Sequence, residues 1–283
     1  MLHPQAIGYL LDLDGTVYRG EHLIEGAAAA ITELRCRERL IAFVSNKPLH
    51  SRRDYAEKLT RLGIPASEDD VITSSHVLAG YLSSHAPGAS VYVIGEPPLL
   101  AELGSAGLFP CDDPKRIDYV VAAFDRTLDY EKLNIAFQAL RHGAHFIATN
   151  SDRTCPIDGG EIPDAAGVIA ALEATTGRRP EEVVGKPSPR MVQAGLDRLG
   201  VPAGRCAVVG DRLETDIMMA KNSGLVAILT LTGVTSRSML DSSPVHPDFV
   251  IDGIGELSNV DRELEQRLLV RVKRPTGHAG SSE

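Results

Sequence analysis

The chain has 283 residues, 43% hydrophobic and 24% charged, with 29 Lys and Arg against 38 Asp and Glu, for a formal charge of −9. That size and composition suit one or two globular domains with a core that needs no metal or cross-link, and exclude disordered and fibrous classes. The acidic balance argues against a nucleic-acid partner, whose backbone is held by clustered Lys and Arg, but leaves room for a small phosphorylated ligand. The four cysteines, Cys36, Cys111, Cys155 and Cys206, form no C-x-x-C pair and are expected to be reduced thiols, Cys206 as buried filler, which fits the cytosol. Asp12 and Asp14 interrupt the early apolar stretch before a signal-peptide core forms, and no apolar run approaches the ~20 residues that span a bilayer. A soluble cytoplasmic protein with no membrane partner is expected.

Short apolar runs alternate with amphipathic stretches along the chain. Strands are predicted at 7–13, 40–45, 90–95, 118–124, 145–149, 206–210 and 225–231, with helices such as 51–62, 130–142 and 188–199 between them. This alternation predicts an α/β fold of parallel sheets covered on both faces. Ser188-Pro189 opens a helix that Gly200 ends, and Thr215 is predicted to cap a helix running to Lys221 and stopping near Gly224. Loop-like composition near Gly80 and at Gly177-Arg-Arg-Pro180 divides the chain into a core, 1–80 with 180–260, and an inserted cap, 81–179. Beyond the core, 261–274 is predicted as a short helix and 275–283 as a disordered tail, with Arg271, Lys273 and Arg274 on a solvated helix end.

The strongest chemical signal is LLDLDGT, an apolar strand that ends in Asp12 and Asp14 and turns at Gly15. In open α/β sheets ligands sit outside the carboxyl ends of strands, so both carboxylates reach the sheet edge. They repel each other unless a cation intervenes, and a hard divalent ion with oxygen ligands would serve. Taken alone, D-G-T equally suits an ordinary turn. CAVVGDRLETD repeats the pattern: Asp211 ends a second apolar strand and Asp216 follows five residues on. Asp216 also suits a helix start, whereas Asp211 sits where Asp12 sits relative to its own strand.

Ser45 and Asn46 end the strand in FVSN, where a hydroxyl, an amide and free N–H groups suit phosphate oxygens; a plain helix-entry loop is the alternative. Lys186, in VVGKPSP, could balance the carboxylates and contact a phosphoryl group, or face solvent. Pro187 and the lack of the earlier glycine exclude a P-loop, no G-x-G-x-x-G follows a strand, and the nine histidines include no H-E-x-x-H.

These four motifs, in this order and at strand ends, resemble the haloacid dehalogenase superfamily over nearly the whole chain to about residue 260. The long insert between Ser45 and Lys186 is similar to that of NagD-like phosphatases, which carry a large α/β cap. DGTVYRGEHLIEGA, TLDYEKLNIAFQAL and IATNSDRTCPIDGG look most like the AraL-type sugar phosphatases. The resemblance implies a Rossmann-like doubly wound core and a phosphomonoester hydrolase. Asp12 would be the nucleophile and form an aspartyl-phosphate, and Asp14 the acid and then the base. Mg²⁺ would be held by the carboxylates of Asp12 and Asp211 and the backbone carbonyl of Asp14, with Asp216 orienting its waters. Gly15, Ser45, Asn46 and Lys186 would hold the phosphoryl group.

In the cap, Asn150, Asp152 and Arg153 follow a strand end and are candidates for substrate contacts, with a surface loop as the alternative. Sugar phosphates are the favoured substrates. Phosphoglycolate, pyridoxal phosphate and nucleotide monophosphates also fit, and a phosphomutase or an idle metabolite-binding protein are the rival readings. A homodimer through the cap is left open.

Overall fold

The computed structural model describes residue 3 and residues 5–157 and 159–272 of the chain. In chain order the first part holds β1 (Gly8–Asp12), β2 (Tyr18–Arg19), β3 (His22–Leu23), α1 (Ala27–Cys36), β4 (Leu40–Ser45), α2 (Arg52–Arg61), β5 (Val71–Thr73) and α3 (Ser74–His85). The middle part holds β6 (Ser90–Ile94), α4 (Pro97–Ser105), β7 (Phe109–Pro110), β8 (Tyr119–Ala122), α5 (Tyr130–Arg141) and β9 (His145–Ala148). It continues with β10 (Thr154–Ile157), β11 (Gly160–Pro163), α6 (Ala165–Thr176) and β12 (Glu182–Val183). The last part holds α7 (Pro189–Leu199), β13 (Cys206–Gly210), α8 (Met218–Asn222), β14 (Val226–Thr230), α9 (Arg237–Ser242), β15 (Phe249–Ile251) and α10 (Leu257–Val272).

Two parallel sheets result. The core sheet has the order β15-β14-β13-β1-β4-β5 and the cap sheet the order β12-β9-β8-β6-β7. Every residue of β1 is buried because both faces of the core sheet are covered. Leu10, Ala42 and Val208 pack into one apolar cluster, while Tyr9, Leu11, Phe43 and Val209 pack into the cluster on the opposite face. That alternation is the period of two expected of a strand. The chain leaves β1 for β4 and β5 on one side and returns through β13, β14 and β15 on the other. The crevice therefore opens at the carboxyl end of β1, where the strand order reverses.

The expected boundaries of the cap differ from the sheets. Gly80 lies inside α3, whose Leu78 and Leu82 join a cluster that runs on into cap residues Val91, Leu99 and Val121. The Gly177–Pro180 turn marks the end of α6 rather than of the cap, because β12 still pairs with β9 after it. Thr215 is not a helix cap. The segment Leu213–Ile217 forms a π-turn, with the amides of Asp216 and Ile217 both donating to the carbonyl of Arg212 at 3.1 and 3.2 Å. Such turns aim side chains that a regular helix would carry elsewhere.

The C-terminal helix begins at Leu257, four residues earlier than expected. Its buried Asp261 accepts hydrogen bonds from Tyr9 and Arg37 at 2.8 Å each and a bidentate pair from Arg39 at 2.8 and 3.1 Å, which ties it to the core. The predicted tail, with Lys273 and Arg274, and the side chain of Arg271 lie outside the described residues. All four cysteines are free, and Cys206 is buried as expected. Among the described residues no helix is long and apolar enough to cross a membrane.

Candidate active site

Four strand ends meet at the crevice. Asp12 closes β1 and Ser45 closes β4; Asp211 follows β13, and Lys186 stands three residues past β12. Asp12, Asp211 and Asp216 each present a carboxylate oxygen, and these oxygens all lie within 4.8 Å of one another. The Lys186 ammonium donates to Asp12 in a very short contact and to Asp216 at 2.7 Å. All four side chains are buried.

Three buried carboxylates with one ammonium leave an excess of two negative charges. Burial pushes the Asp12 carboxyl well above its ordinary value; Asp216 and Asp211 add to this and Lys186 opposes it. Burial, then Asp216, pushes Asp211 up to about 6. Burial alone would lower the Lys186 ammonium, yet Asp12 and Asp216 hold it charged. A charge excess of two on hard oxygen donors fits a divalent cation such as Mg²⁺.

Asp211 is seated by residues that the sequence reading overlooked. The amide of Val234 donates to its Oδ2 at 2.6 Å, and that of Thr235 to its backbone carbonyl at 3.2 Å. A Cβ on Gly233 would lie 1.8 Å from Asp211 Oδ2. Gly15, expected at the phosphoryl group, serves the same seat. Its φ is +90° and a Cβ there would stand 2.7 Å from Asp211 Oδ2, while its N–H donates to the Tyr18 carbonyl at 2.8 Å. The glycine gives room and a turn, and its amide is already used.

Asn46 differs from its expected role as well. Its Oδ1 accepts from the Lys186 amide at 2.7 Å, and its Nδ2 donates to the Lys186 carbonyl at 3.1 Å and to Asp152 Oδ2 at 2.8 Å. Both ends of the amide are committed to holding Lys186 and the cap. Ser45 stays at the pocket wall, accepting from the Lys47 amide at 3.2 Å.

The cap contributes less direct contact than expected. Asp152 lines the pocket, but Asn150 stands behind it, donating to Asp152 at 2.8 Å and to Asp164 at 3.0 Å. Arg153 is exposed and does not line the pocket. Instead the β10–β11 hairpin brings Thr154, Cys155 and Pro156 over the crevice. Two cations not singled out from sequence complete the wall. Lys47 stands 3.7 Å from Asp14, and Arg212 stands 3.6 Å from Asp152. Lys47 directly follows Ser45-Asn46 and Arg212 directly follows Asp211, so adjacency to a motif was the available signal. Six carboxylates and three cations thus line the crevice, an acidic lining that would repel a phosphate dianion in the absence of a metal.

Two family models match the chain. The haloacid dehalogenase-like hydrolase model covers residues 9–109, and a HAD-hydrolase-like model covers 183–257. Sugar-phosphatase AraL of Bacillus subtilis (strain 168) is 41% identical over 256 residues, which is 90% of this chain and 93% of the relative. Among solved structures, a 4-nitrophenylphosphatase from Thermotoga maritima matches with a TM-score of 0.85 at 37% identity, covering 90% of this chain and 97% of that one. The glycerol phosphate phosphatase of Mycobacterium tuberculosis, in complex with magnesium, matches with a TM-score of 0.82 at 33% identity, covering 90% and 78%. Sequence and fold agree over the core and the cap alike: the chain belongs to the haloacid dehalogenase-like hydrolases.

Proposed function

We propose that the chain is a Mg²⁺-dependent phosphatase that hydrolyses small phosphomonoesters, sugar phosphates foremost, through an aspartyl-phosphate on Asp12. The observation that carries this reading is the buried set of Asp12, Asp211 and Asp216 around Lys186 at the carboxyl edge of the core sheet. Asp12, Asp211 and the Asp14 backbone carbonyl would hold Mg²⁺, which when bound would supply charge neutralisation for the phosphoryl group. Asp216, which accepts from Lys186 Nζ, the Arg212 amide and Thr215, supports that set from behind.

In the first step an Asp12 carboxylate oxygen bonds to phosphorus as the ester P–O bond breaks. The electron pair leaves with the alcohol oxygen, which takes the Asp14 proton. In the second step water attacks phosphorus, Asp14 takes back a proton, and the bond to Asp12 breaks to release phosphate. Asp14 suits this exchange because its carboxyl is partly open to solvent beside Lys47, whereas Asp12 is enclosed. Lys186 offsets the charge that gathers on Asp12 and the transferring group.

The substrate class rests on the relatives, named for sugar phosphates, glycerol phosphate and 4-nitrophenyl phosphate. Phosphate release from a panel of sugar phosphates, phosphoglycolate, pyridoxal phosphate and nucleotide monophosphates, with Mg²⁺ and with EDTA, tests both parts. Mg²⁺-dependent release with a sugar phosphate preferred is expected. Equal release in EDTA would refute the metal, and preference for another ester would refute the substrate class.

A further inference from the structure

The side chains around Asp152 close into a ring. Its Oδ2 accepts from Asn46 Nδ2 at 2.8 Å, and Asn46 holds the backbone of Lys186 through its amide at 2.7 Å and its carbonyl at 3.1 Å. Lys186 Nζ donates to Asp216 Oδ1 at 2.7 Å, and Asp216 Oδ2 accepts from the Arg212 backbone amide at 3.2 Å. The Arg212 guanidinium returns to the cap, 3.6 Å from Asp152 Oδ1 and donating to the Thr154 carbonyl at 3.2 Å. Asp152 and Thr154 belong to the cap; the other members belong to the catalytic edge. Beneath the ring Asp12 is 7% exposed and Lys186 4%, so the ring lies directly over the nucleophile and its cation.

We infer that Asp152 and Arg212 are positioning residues, a polar clasp that holds the cap hairpin and the Lys186 backbone in register with the catalytic edge. Both oxygens of Asp152 face donors from the protein, so it acts on the reaction by setting the cap and the Lys186 backbone rather than by touching the sugar. A partnered carboxylate of this kind loses its role when its partner is removed, and the two losses overlap in the contact that they share. The kinetic side of this inference rests on the phosphatase reading above; the structural side does not.

The test compares wild type, Asp152→Asn, Arg212→Met and the double variant. Hydrogen exchange of the free protein is read at the amides of Thr154, Cys155 and Ile157 and of Gly160, Glu161 and Ile162. Both single variants are expected to speed exchange there by about tenfold, the effect of losing one such tie. With Mg²⁺, kcat and KM are read on 4-nitrophenyl phosphate and glycerol phosphate, two esters with unlike alcohols. The clasp predicts the same factor of change in kcat on both esters, an unaltered ratio of their KM values, and a double variant within about twofold of the worse single. Unchanged exchange, a KM that rises for glycerol phosphate alone, or losses that multiply in the double variant would overturn it. Should Arg212→Met fail to fold, Asp152→Asn, which keeps side-chain size, decides the matter by the exchange and KM readouts. Faster exchange in the variants with no hydrolysis by wild type would sink the phosphatase reading and leave the clasp standing.

Discussion

The two walls of the crevice hold their carboxylates with different partners. On the core side Asp12, Asp211 and Asp216 crowd within 4.8 Å around one lysine, and burial pushes Asp12 and Asp211 upward. On the cap side Asp152 and Asp164 are met by amide donors: Asn46 and Asn150 for the first, Asn150 and the Ala165 amide for the second. Burial with too few partners marks the place where a cation and a phosphoryl group are needed. Burial with partners marks architecture. The contrast assigns chemistry to the core wall and placement to the cap wall.

Substitutions that remove charge should separate the two walls, and the largest effect is expected at the acid. Asp14→Asn should slow release from an alkyl phosphate by ~100- to 10,000-fold, and by clearly less with 4-nitrophenyl phosphate, whose phenolate leaves without a proton. An equal loss on both esters in steady-state assays would remove Asp14 from the acid role. Next comes Lys186→Met, which strips the one cation paired with Asp12 and Asp216 among the described residues. It should cost about 3–5 kcal/mol in urea unfolding without metal, and less with Mg²⁺ present. Indifference to Mg²⁺ would argue against a divalent ion at this cluster.

A smaller effect of opposite sign is expected at Asp211. Asp211→Asn should raise the metal-free Tm by relieving repulsion with Asp216, and abolish the rise that Mg²⁺ gives wild type. That rise corresponds to about 2.7 kcal/mol at a hundredfold excess over Kd. A metal-free Tm that falls would mean the core carboxylates are as well partnered as those of the cap. The smallest effect belongs to Asp164, which burial pushes up from 3.8 to about 6. The folded state then holds a proton that the unfolded chain has lost, so this group's stabilising contribution is full below pH ~4 and gone above pH ~6. Asp164→Asn removes that slope, so its stability relative to wild type should improve on going from pH 4 to pH 7, by up to about 2–3 kcal/mol. A relative stability independent of pH in denaturant titrations would refute the shift.

What the sequence disclosed follows the same division. The core wall was legible because Asp12 ends the apolar run GYLLD and Asp211 follows CAVVG, and strand direction then brings both carboxylates to one edge. The cap wall was only half legible. Asn150, Asp152 and Arg153 lie within four residues, yet the first stands behind the pocket, the second lines it and the third is exposed, a split that rests on partners distant in sequence such as Asn46. The amide of Asn46 looks like a phosphate ligand until its partners, 106 and 140 residues away, are known. Val71–Thr73 and Glu182–Val183 are too short for any periodicity to appear, and the π-turn at Leu213–Ile217 has no sequence signature of its own.

The central claim is that Asp12 performs metal-dependent phosphoryl transfer, and phosphate release by wild type and Asp12→Asn, each with Mg²⁺ and with EDTA, tests it most directly. The account predicts release only from wild type with Mg²⁺. Near-normal release by Asp12→Asn would contradict it.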